Sequence, residues 1–141
     1  MLRIALTTLL CAVLLAGCSK SDPQAELEAA VQRLQDNLES KRTSEVMEQL
    51  HPQFSANGQY DRDWAKRTMV LMFLRHKQVR VLAISKSSEV DPTYSSKGHT
   101  RAEVALTGAE GLIPDSARHY SITLEWWRED DEWQLARLDW E

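Results

Sequence analysis

Apolar residues recur at helical spacing in the first part of the chain. Four of them, separated by four, three and four positions, share one face of a helix. Asp22 and Pro23 predict where this helix starts, because aspartate caps helix N-termini and proline is tolerated in the first turn. We expect an amphipathic helix that ends near Ser40 and packs on a core. Its apolar residues are Leu27, Val31, Leu34 and Leu38.

Two further helices are predicted before residue 78. Val46, Met47 and Leu50 indicate a short helix, which should end at His51-Pro52 because proline disfavours helix in the residue before it. A third helix is predicted from Asp61, and its second half is the apolar run "MVLMFL". A helix that is apolar on most sides is expected to be buried on most sides.

The spacing of apolar residues changes after Lys77. Near-alternating runs rich in β-branched and aromatic residues are typical of strands. Turn-like segments separate them. Helices followed by strands predict one α+β domain, in which three helices cover one face of an antiparallel sheet of about four strands. The four runs are "QVRVLAIS", "TRAEVALTG", "RHYSITLEWWR" and "EWQLARLDW".

The register of the last two strands depends on the turn between them. A two-residue turn at Asp130-Asp131 would place Glu129 directly opposite Glu132, and like charges at facing positions are unfavourable. It would also pair apolar residues with polar ones, and a tight type I′ turn requires positive φ at both positions. We therefore predict a three-residue turn that includes Glu129.

Four of the five tryptophans of the chain lie in this hairpin. The three-residue turn places Trp126 and Trp140 on the face that meets the helices, so both are predicted core residues. Trp127 and Trp133 fall on the other face with Leu135, where they would form an apolar patch. Such a patch is either a partner surface, for example of a homodimer or with another envelope protein, or is covered by the loop "EVDPTYSSKGH"; the pattern leaves both open.

The N-terminus has the organisation of a secretory signal peptide. Arg3 precedes a largely apolar stretch of twelve residues, 4–15, which is shorter than the ~20 residues that span a bilayer. The segment Leu15-Ala16-Gly17-Cys18 resembles the lipobox of bacterial lipoproteins. The resemblance implies cleavage before Cys18 and attachment of lipid to its thiol, so that acyl chains anchor the protein in a membrane.

We accordingly expect a signal peptide over residues 1–17, a lipidated cysteine with a short tether over 18–22, and a single α+β domain over 23–141. The expected location is the bacterial cell envelope. Ser19 after the cysteine favours the periplasmic face of the outer membrane, whereas Lys20-Ser21 resembles an inner-membrane retention signal of some bacteria.

The composition of the chain argues against several classes of partner and cofactor. The 141 residues carry a formal net charge of −4 without a basic cluster, which argues against nucleic acid. Five dispersed glycines match no phosphate-binding motif, and the four histidines show no metal-ligand spacing. We predict no cofactor and no metal.

The element order also resembles a known superfamily. A helix, a short helix, "LHPQF", another helix and a meander ending in W-x-R-x-x-x-x-W-x-L-x-x-L resemble the nuclear transport factor 2-like superfamily, from about Gln24 to the C-terminus. The resemblance implies a cone-shaped fold, whose curved sheet and helices enclose a pocket for a small apolar ligand. Ordinary core packing is the alternative role for the residues that would line this pocket. They are Trp64, Met72, Phe73, Tyr120 and Trp126.

Enzymes of this superfamily place aspartate, histidine or tyrosine in the pocket. The candidates in this chain are Tyr60, Asp61, Asp63, His76 and His119. Asp61 is equally well explained as a helix cap, and His76 as a favourable charge at a helix C-terminus. We therefore predict a non-catalytic ligand-binding or protein-interaction domain on a membrane-anchored lipoprotein. The alternative is a small-molecule isomerase, dehydratase or hydrolase.

Overall fold

The computed structural model describes residues 22–108 and 118–141. The predicted signal peptide, 1–17, and the predicted lipid attachment at Cys18 lie outside these residues. Three helices and five strands make up the described chain. Their bounds are α1 Pro23–Glu39, α2 Thr43–Gln49, β1 Leu50–Ala56, α3 Arg62–Arg75, β2 Val79–Val90, β3 Lys97–Gly108, β4 Arg118–Glu129 and β5 Glu132–Trp140.

Helix α1 forms as its apolar spacing predicts. The Asp22 side chain accepts a hydrogen bond from the Gln24 amide at 3.1 Å, and Pro23 occupies the first turn. Three of the four predicted apolar residues are buried, and Leu38 packs partly buried against the same core. This core joins α1 to α2 and to strands β1, β4 and β5. Its buried members are Leu27, Ala30, Val31, Leu34, Val46, Leu50, Phe54, Ala56, Leu124, Trp126, Trp133 and Leu135.

The sheet has five strands in the order β1-β5-β4-β3-β2, so the prediction of about four strands is one short. Strand β1 follows α2 directly and pairs parallel to β5, while the other three pairs are antiparallel. Sequence reasoning missed β1 because Pro52 interrupts it. Proline is tolerated in β1 because this strand is at the edge of the sheet and pairs on one side only.

The hairpin between β4 and β5 has a two-residue turn, and the predicted three-residue turn is wrong. Asp130 and Asp131 have φ values of 50° and 61°, as a type I′ turn requires. Glu129 faces Glu132, the pairing that the prediction avoided. A β-bulge at Ala136 then restores apolar pairing further along, because it shifts the register by one residue between the Trp126–Leu135 and Glu125–Arg137 pairs.

The two-residue turn and this bulge together decide which face of the sheet each tryptophan occupies. Trp126 is fully buried, as predicted, and Trp140 is partly buried against the same core. Trp133 and Leu135, predicted on the outer face, are only 4% and 3% exposed. They lie in the core because the two-residue turn places Trp133 opposite Arg128 and Leu135 opposite Trp126. The predicted outer patch of Trp127, Trp133 and Leu135 therefore does not form.

Helix α3 is less buried than its apolar sequence predicts. No residue of this helix is buried, and Val70, Leu71 and Leu74 are exposed. The expectation that it is buried on most sides is wrong, because among the described elements it packs substantially against α2 and β1 alone and leaves its opposite side exposed. Trp64, Ala65 and Met69 are partly buried and pack against the core.

Helix α1 also covers the free edge of β2. The Gln24 side chain donates to the Ser88 carbonyl at 2.7 Å and accepts from the Val90 amide at 3.0 Å. The Gln35 side chain donates to the Val81 carbonyl at 3.0 Å. Backbone groups at both ends of this edge strand are therefore satisfied by side chains of the neighbouring helix.

Candidate functional site

An apolar cavity of about 370 Å³ lies between the helices and the sheet. All three helices and all five strands contribute to its wall, so the whole domain positions it. Its described lining consists of aliphatic and aromatic side chains with Thr68 and His76. They are Leu34, Leu38, Val46, Leu50, Phe54, Trp64, Ala65, Thr68, Met69, Met72, Phe73, His76, Val79, Val81, Val104, Leu106, Ile122, Leu124, Leu135 and Leu138.

Three of the five predicted lining residues face this cavity. Trp64, Met72 and Phe73 line it from α3, whereas Tyr120 and Trp126 are not among the described lining residues. Trp126 is instead fully buried, where its indole nitrogen donates to the Thr100 hydroxyl at 3.1 Å. Its burial follows from its strand position, but the hydrogen bond that directs it away from the cavity has no signal in the sequence.

The mouth of the cavity is marked by residues that both line it and reach solvent. Met72 of α3 is 40% exposed and Leu106 of β3 is 39% exposed, and both belong to the lining. The mouth therefore lies where the second half of α3 approaches the end of β3. The sequence signalled this half of α3 only as an apolar run.

The predicted acid–base candidates are dispersed around the fold. Asp61 caps α3, since its side chain accepts from the Trp64 amide at 2.9 Å, and Asp63 is exposed in the first turn. His119 is exposed and its Nε2 lies 3.2 Å from Glu103 Oε2. Tyr60 stacks on Trp64 with 4.4 Å between ring centroids.

His76 is the acid–base candidate that lines the cavity. It ends α3, and its backbone amide donates to the Met72 carbonyl at 3.1 Å. The Lys41 ammonium group donates to the backbone carbonyls of Phe73, at 3.0 Å, and His76. This lysine supplies positive charge to the carbonyl end of α3 and holds His76 at the cavity.

Trp127 occupies a separate site at the β1 edge of the sheet. Its ring packs edge-on against His51 with 4.7 Å between centroids, and the Arg137 guanidinium lies 4.9 Å from its ring centroid. Its indole nitrogen donates to Glu125 at 2.7 Å. Side chains of β1 and β5 thus cover part of this ring.

His51 has a defined hydrogen-bonding arrangement beside Trp127. Its Nδ1 accepts from the Gln53 amide at 3.0 Å, so in the neutral ring the proton is on Nε2, which lies 3.0 Å from Glu129 Oε1. His51 is buried within β1. It serves to position Trp127 and the hairpin and lies outside the cavity lining that the structure describes.

Asp91, whose pKa is shifted, also lies outside the described cavity lining. The pKa of Asp91 is lowered, mainly because the backbone amide of Tyr94 and then that of Thr93 donate to its carboxylate. His99 Nε2 lies 3.4 Å from Asp91 Oδ2. These contacts shape the loop between β2 and β3.

Residues 22–108 and 118–141 provide neither a cluster of metal ligands nor a helix suited to crossing a bilayer. Within these ranges no three or more His, Cys, Asp or Glu side chains are grouped so that they could hold a metal ion. None of the helices there has both the length and the apolar character that a bilayer crossing needs.

Sequence comparison identifies no relatives, whereas comparison of folds identifies many. No protein-family model and no curated protein matches the chain. A protein of Bdellovibrio bacteriovorus, Bd1075, superposes with a TM-score of 0.70 and 9% identity; the match covers 83% of this chain but only 40% of that one.

Two other similar structures match over most of both chains. An NTF2-like protein of unknown function from Pseudomonas putida superposes with a TM-score of 0.70 at 7% identity, covering 84% of each chain. A putative dehydratase of the NTF2-like family from Streptomyces avermitilis gives 0.68 at 10% identity, covering 83% of this chain and 93% of that one. The chain therefore has the nuclear transport factor 2-like α+β fold, with three helices and a curved five-stranded sheet.

Proposed function

We propose that this protein is a lipid-anchored lipoprotein of the bacterial cell envelope, whose domain binds a small apolar ligand without transforming it. The cavity carries the binding part of this proposal. Its volume falls within the 300–1,000 Å³ of typical ligand sites and exceeds twice the ~150 Å³ that accommodates benzene. An apolar ligand would replace the missing contacts of the aliphatic and aromatic side chains that make up most of this lining.

The anchor part rests on the lipobox resemblance at Cys18. The Cys18→Ser variant of the full chain should lose incorporation of labelled palmitate and should no longer fractionate with membranes. Cys11→Ser is the matched control, because it removes the other thiol from the same N-terminal region and should leave both properties unchanged. A Cys18→Ser chain that still takes up the label would contradict the lipoprotein assignment.

The cavity is tested by filling it. Val104 is buried and lines the cavity, so Val104→Phe should occupy part of the space and weaken binding of a fluorescent apolar probe such as N-phenyl-1-naphthylamine about tenfold or more. Leu82→Phe is the control, because Leu82 is exposed and lies outside the described lining. Equal probe affinity in the parent chain and both variants would remove the cavity as the binding site.

An enzyme of the same fold is the second candidate, and His76 is the observation that favours it. A general base needs a side chain that orients it and a pKa suited to proton transfer. The described lining supplies His76 but no carboxylate that would orient it. If the domain is an enzyme, His76→Gln should abolish turnover and leave apolar binding intact. If it is a binding module, the parent chain and His76→Gln should bind the apolar probe alike and neither should show turnover.

A further inference from the structure

Helix α3 exposes an apolar stripe on the side that faces away from the cavity. Lining residues of this helix recur at positions 64, 65, 68, 69, 72, 73 and 76, and the positions between them point outward. Val70, Leu71 and Leu74 form this outer stripe and are 41%, 48% and 80% exposed. Exposed large apolar side chains at helical spacing on one face are typical of a surface that contacts something apolar.

Basic residues surround the outer stripe. Residues 62–80 contain six Lys or Arg and one Asp, although the whole chain has 17 basic and 21 acidic residues. Five of the basic side chains are exposed, and in the described part of the chain no ion pair joins them to an acidic group. The expectation of a chain without a basic cluster is therefore wrong for residues 62–80, although the chain is acidic overall. The five are Lys66, Arg67, Arg75, Lys77 and Arg80.

Apolar residues flanked by lysine and arginine match the chemistry of an anionic membrane surface. Such a helix lies in the interface with its apolar side chains among the lipid chains and its basic side chains at the headgroups. Each basic residue near an anionic surface strengthens association about fivefold. An acidic protein would satisfy the charges, but it would not by itself account for three exposed aliphatic side chains between them.

We infer that the outer stripe of α3 and its basic flanks dock on an anionic bilayer, with the mouth of the cavity beside the lipid. Met72 links the two features, because it lines the cavity and is exposed immediately next to Leu71. A membrane amphiphile whose tail enters the cavity is then the ligand class that fits the apolar lining. This inference rests on the proposed anchoring, which keeps the domain close to the bilayer.

The length of α1 and of the tether limits how the domain can be oriented when α3 docks on the bilayer. Lys41, just after α1, contacts the end of α3, so the basic surface lies at the α1 end that is distant from the tether. The chain from Cys18 to Asp22 reaches at most about 14 Å, while α1, with its 17 residues, is about 25 Å long. Because the tether is shorter than α1, both ends can meet one bilayer only if α1 is inclined by less than about 35° to the membrane surface.

The full chain, reconstituted into vesicles, tests the docking through an added indole group. Leu74→Trp adds an indole to the outer stripe. Brominated phosphatidylglycerol–phosphatidylcholine vesicles should quench the emission of this variant more than they quench the emission of the parent chain. At least half of this additional quenching should be lost in brominated vesicles of pure phosphatidylcholine. Thr123→Trp is the control, because Thr123 is exposed at the centre of β4, on the face away from the helices. Its added emission should not depend on bromine.

Charge reversal gives a second measurement. Arg67→Glu with Arg75→Glu should reduce the bromine quenching of the Leu74→Trp chain at least twofold. Arg33→Glu with Arg101→Glu changes the net charge equally at two exposed positions elsewhere and should leave the quenching unchanged. Equal effects of the two pairs would overturn the inference, since binding would then follow net charge and not this surface.

Failure of the docking and failure of the anchor have different signatures. A chain that floats with vesicles but whose added indole at position 74 is unquenched overturns the docking and leaves the anchor intact. A chain that does not float contradicts the anchor. The indole at position 74 could instead be protected from solvent in proportion to protein concentration, without quenching by bromine. This result would indicate that a second copy of the chain covers the outer stripe, and it would also overturn the membrane assignment.

Discussion

Gly98 shows how closely α1 approaches the sheet. A methyl group on this buried glycine of β3 would lie 2.7 Å from Leu27 Cδ2 and 3.4 Å from Trp133 Cζ3. Leu27 is fully buried, so its side chain has little room to move. The missing side chain at this position is therefore what allows the N-terminal half of α1 to pack on β3 and β5.

Substitution of this glycine should loosen the contact. We expect Gly98→Ala to lower the free energy of unfolding by about 1–3 kcal/mol, as overpacking of a tight core does. Chemical denaturation measures this change. In a Leu27→Val background, which lacks the Cδ atoms, the same substitution should cost less than half as much. An equal cost in both backgrounds would show that the backbone, and not Leu27, makes Gly98 necessary.

Single residues of the hairpin could be predicted only in part. Trp126 and Trp140 were assigned correctly to the core side, because their positions follow the alternation of β4 and β5. Trp133 and Leu135 were placed on the wrong face because the bulge at Ala136 offsets the register, and alanine gives no local sign of a bulge. One irregular residue is enough to reverse every side chain between it and the turn.

The turn at the end of this hairpin retains a local conflict. Asp130 and Asp131 both adopt positive φ, and they stand between Glu129 and Glu132, which face each other. Non-glycine residues are disfavoured at positive φ, although aspartate tolerates it better than most. The hairpin forms despite this conflict because Trp126 and Trp133 are buried. They are diagonal neighbours on facing strands, since Trp126 pairs with Leu135 and Trp133 pairs with Arg128.

Replacing the turn with Asn-Gly should therefore stabilise the domain. We expect Asp130→Asn with Asp131→Gly to raise the free energy of unfolding by about 1 kcal/mol, since this pair suits a type I′ turn. Thermal unfolding measures the gain. Asp130→Asn with Asp131→Asn removes the same charges without the glycine. If this control gains as much, the relief is electrostatic and the backbone conformation of residue 131 is not strained.

Elements differed in how far they could be predicted. Helix α1 and the existence of strands β2–β5 follow from apolar spacing, although bulges in β2 and β5 interrupt the alternation of their faces. Strand β1 could not be predicted, since Pro52 suggested a break and its partner β5 is more than 80 residues away in the sequence. The exposure of α3 was also missed, because an apolar run does not show whether the core surrounds a helix or covers only one side of it.

At the scale of the whole molecule, the cavity ties stability to ligand occupancy. Space among buried apolar side chains removes contacts that a filled core would make. The candidate site was predictable where it depends on helix periodicity, as at Trp64, Met72 and Phe73. Its volume was not predictable, because it depends on how far α3 lies from the sheet, which no local pattern specifies.

Occupancy should thus be measurable without knowledge of the natural ligand. An apolar ligand at a hundred times its dissociation constant is expected to raise stability by about 2.7 kcal/mol, which corresponds to about 5–10 °C in Tm. For a domain of this size the entropy of unfolding puts the shift at the upper end of this range, about 10 °C, and a thermal-shift assay with simple amphiphiles of increasing chain length measures it. Val104→Phe should reduce the shift, whereas Leu82→Phe should retain it. A shift that persists in Val104→Phe would place binding outside the cavity.

If the proposed lipid anchor holds the chain in a membrane, the glutamines of α1 bear on how its copies pack beside one another. Anchored proteins diffuse in two dimensions, so neighbouring domains meet often and in similar orientations. An open strand edge would invite one domain to continue the sheet of the next. Gln24 and Gln35 occupy backbone groups at both ends of β2, and this arrangement favours a crowded layer of separate domains over a growing fibre.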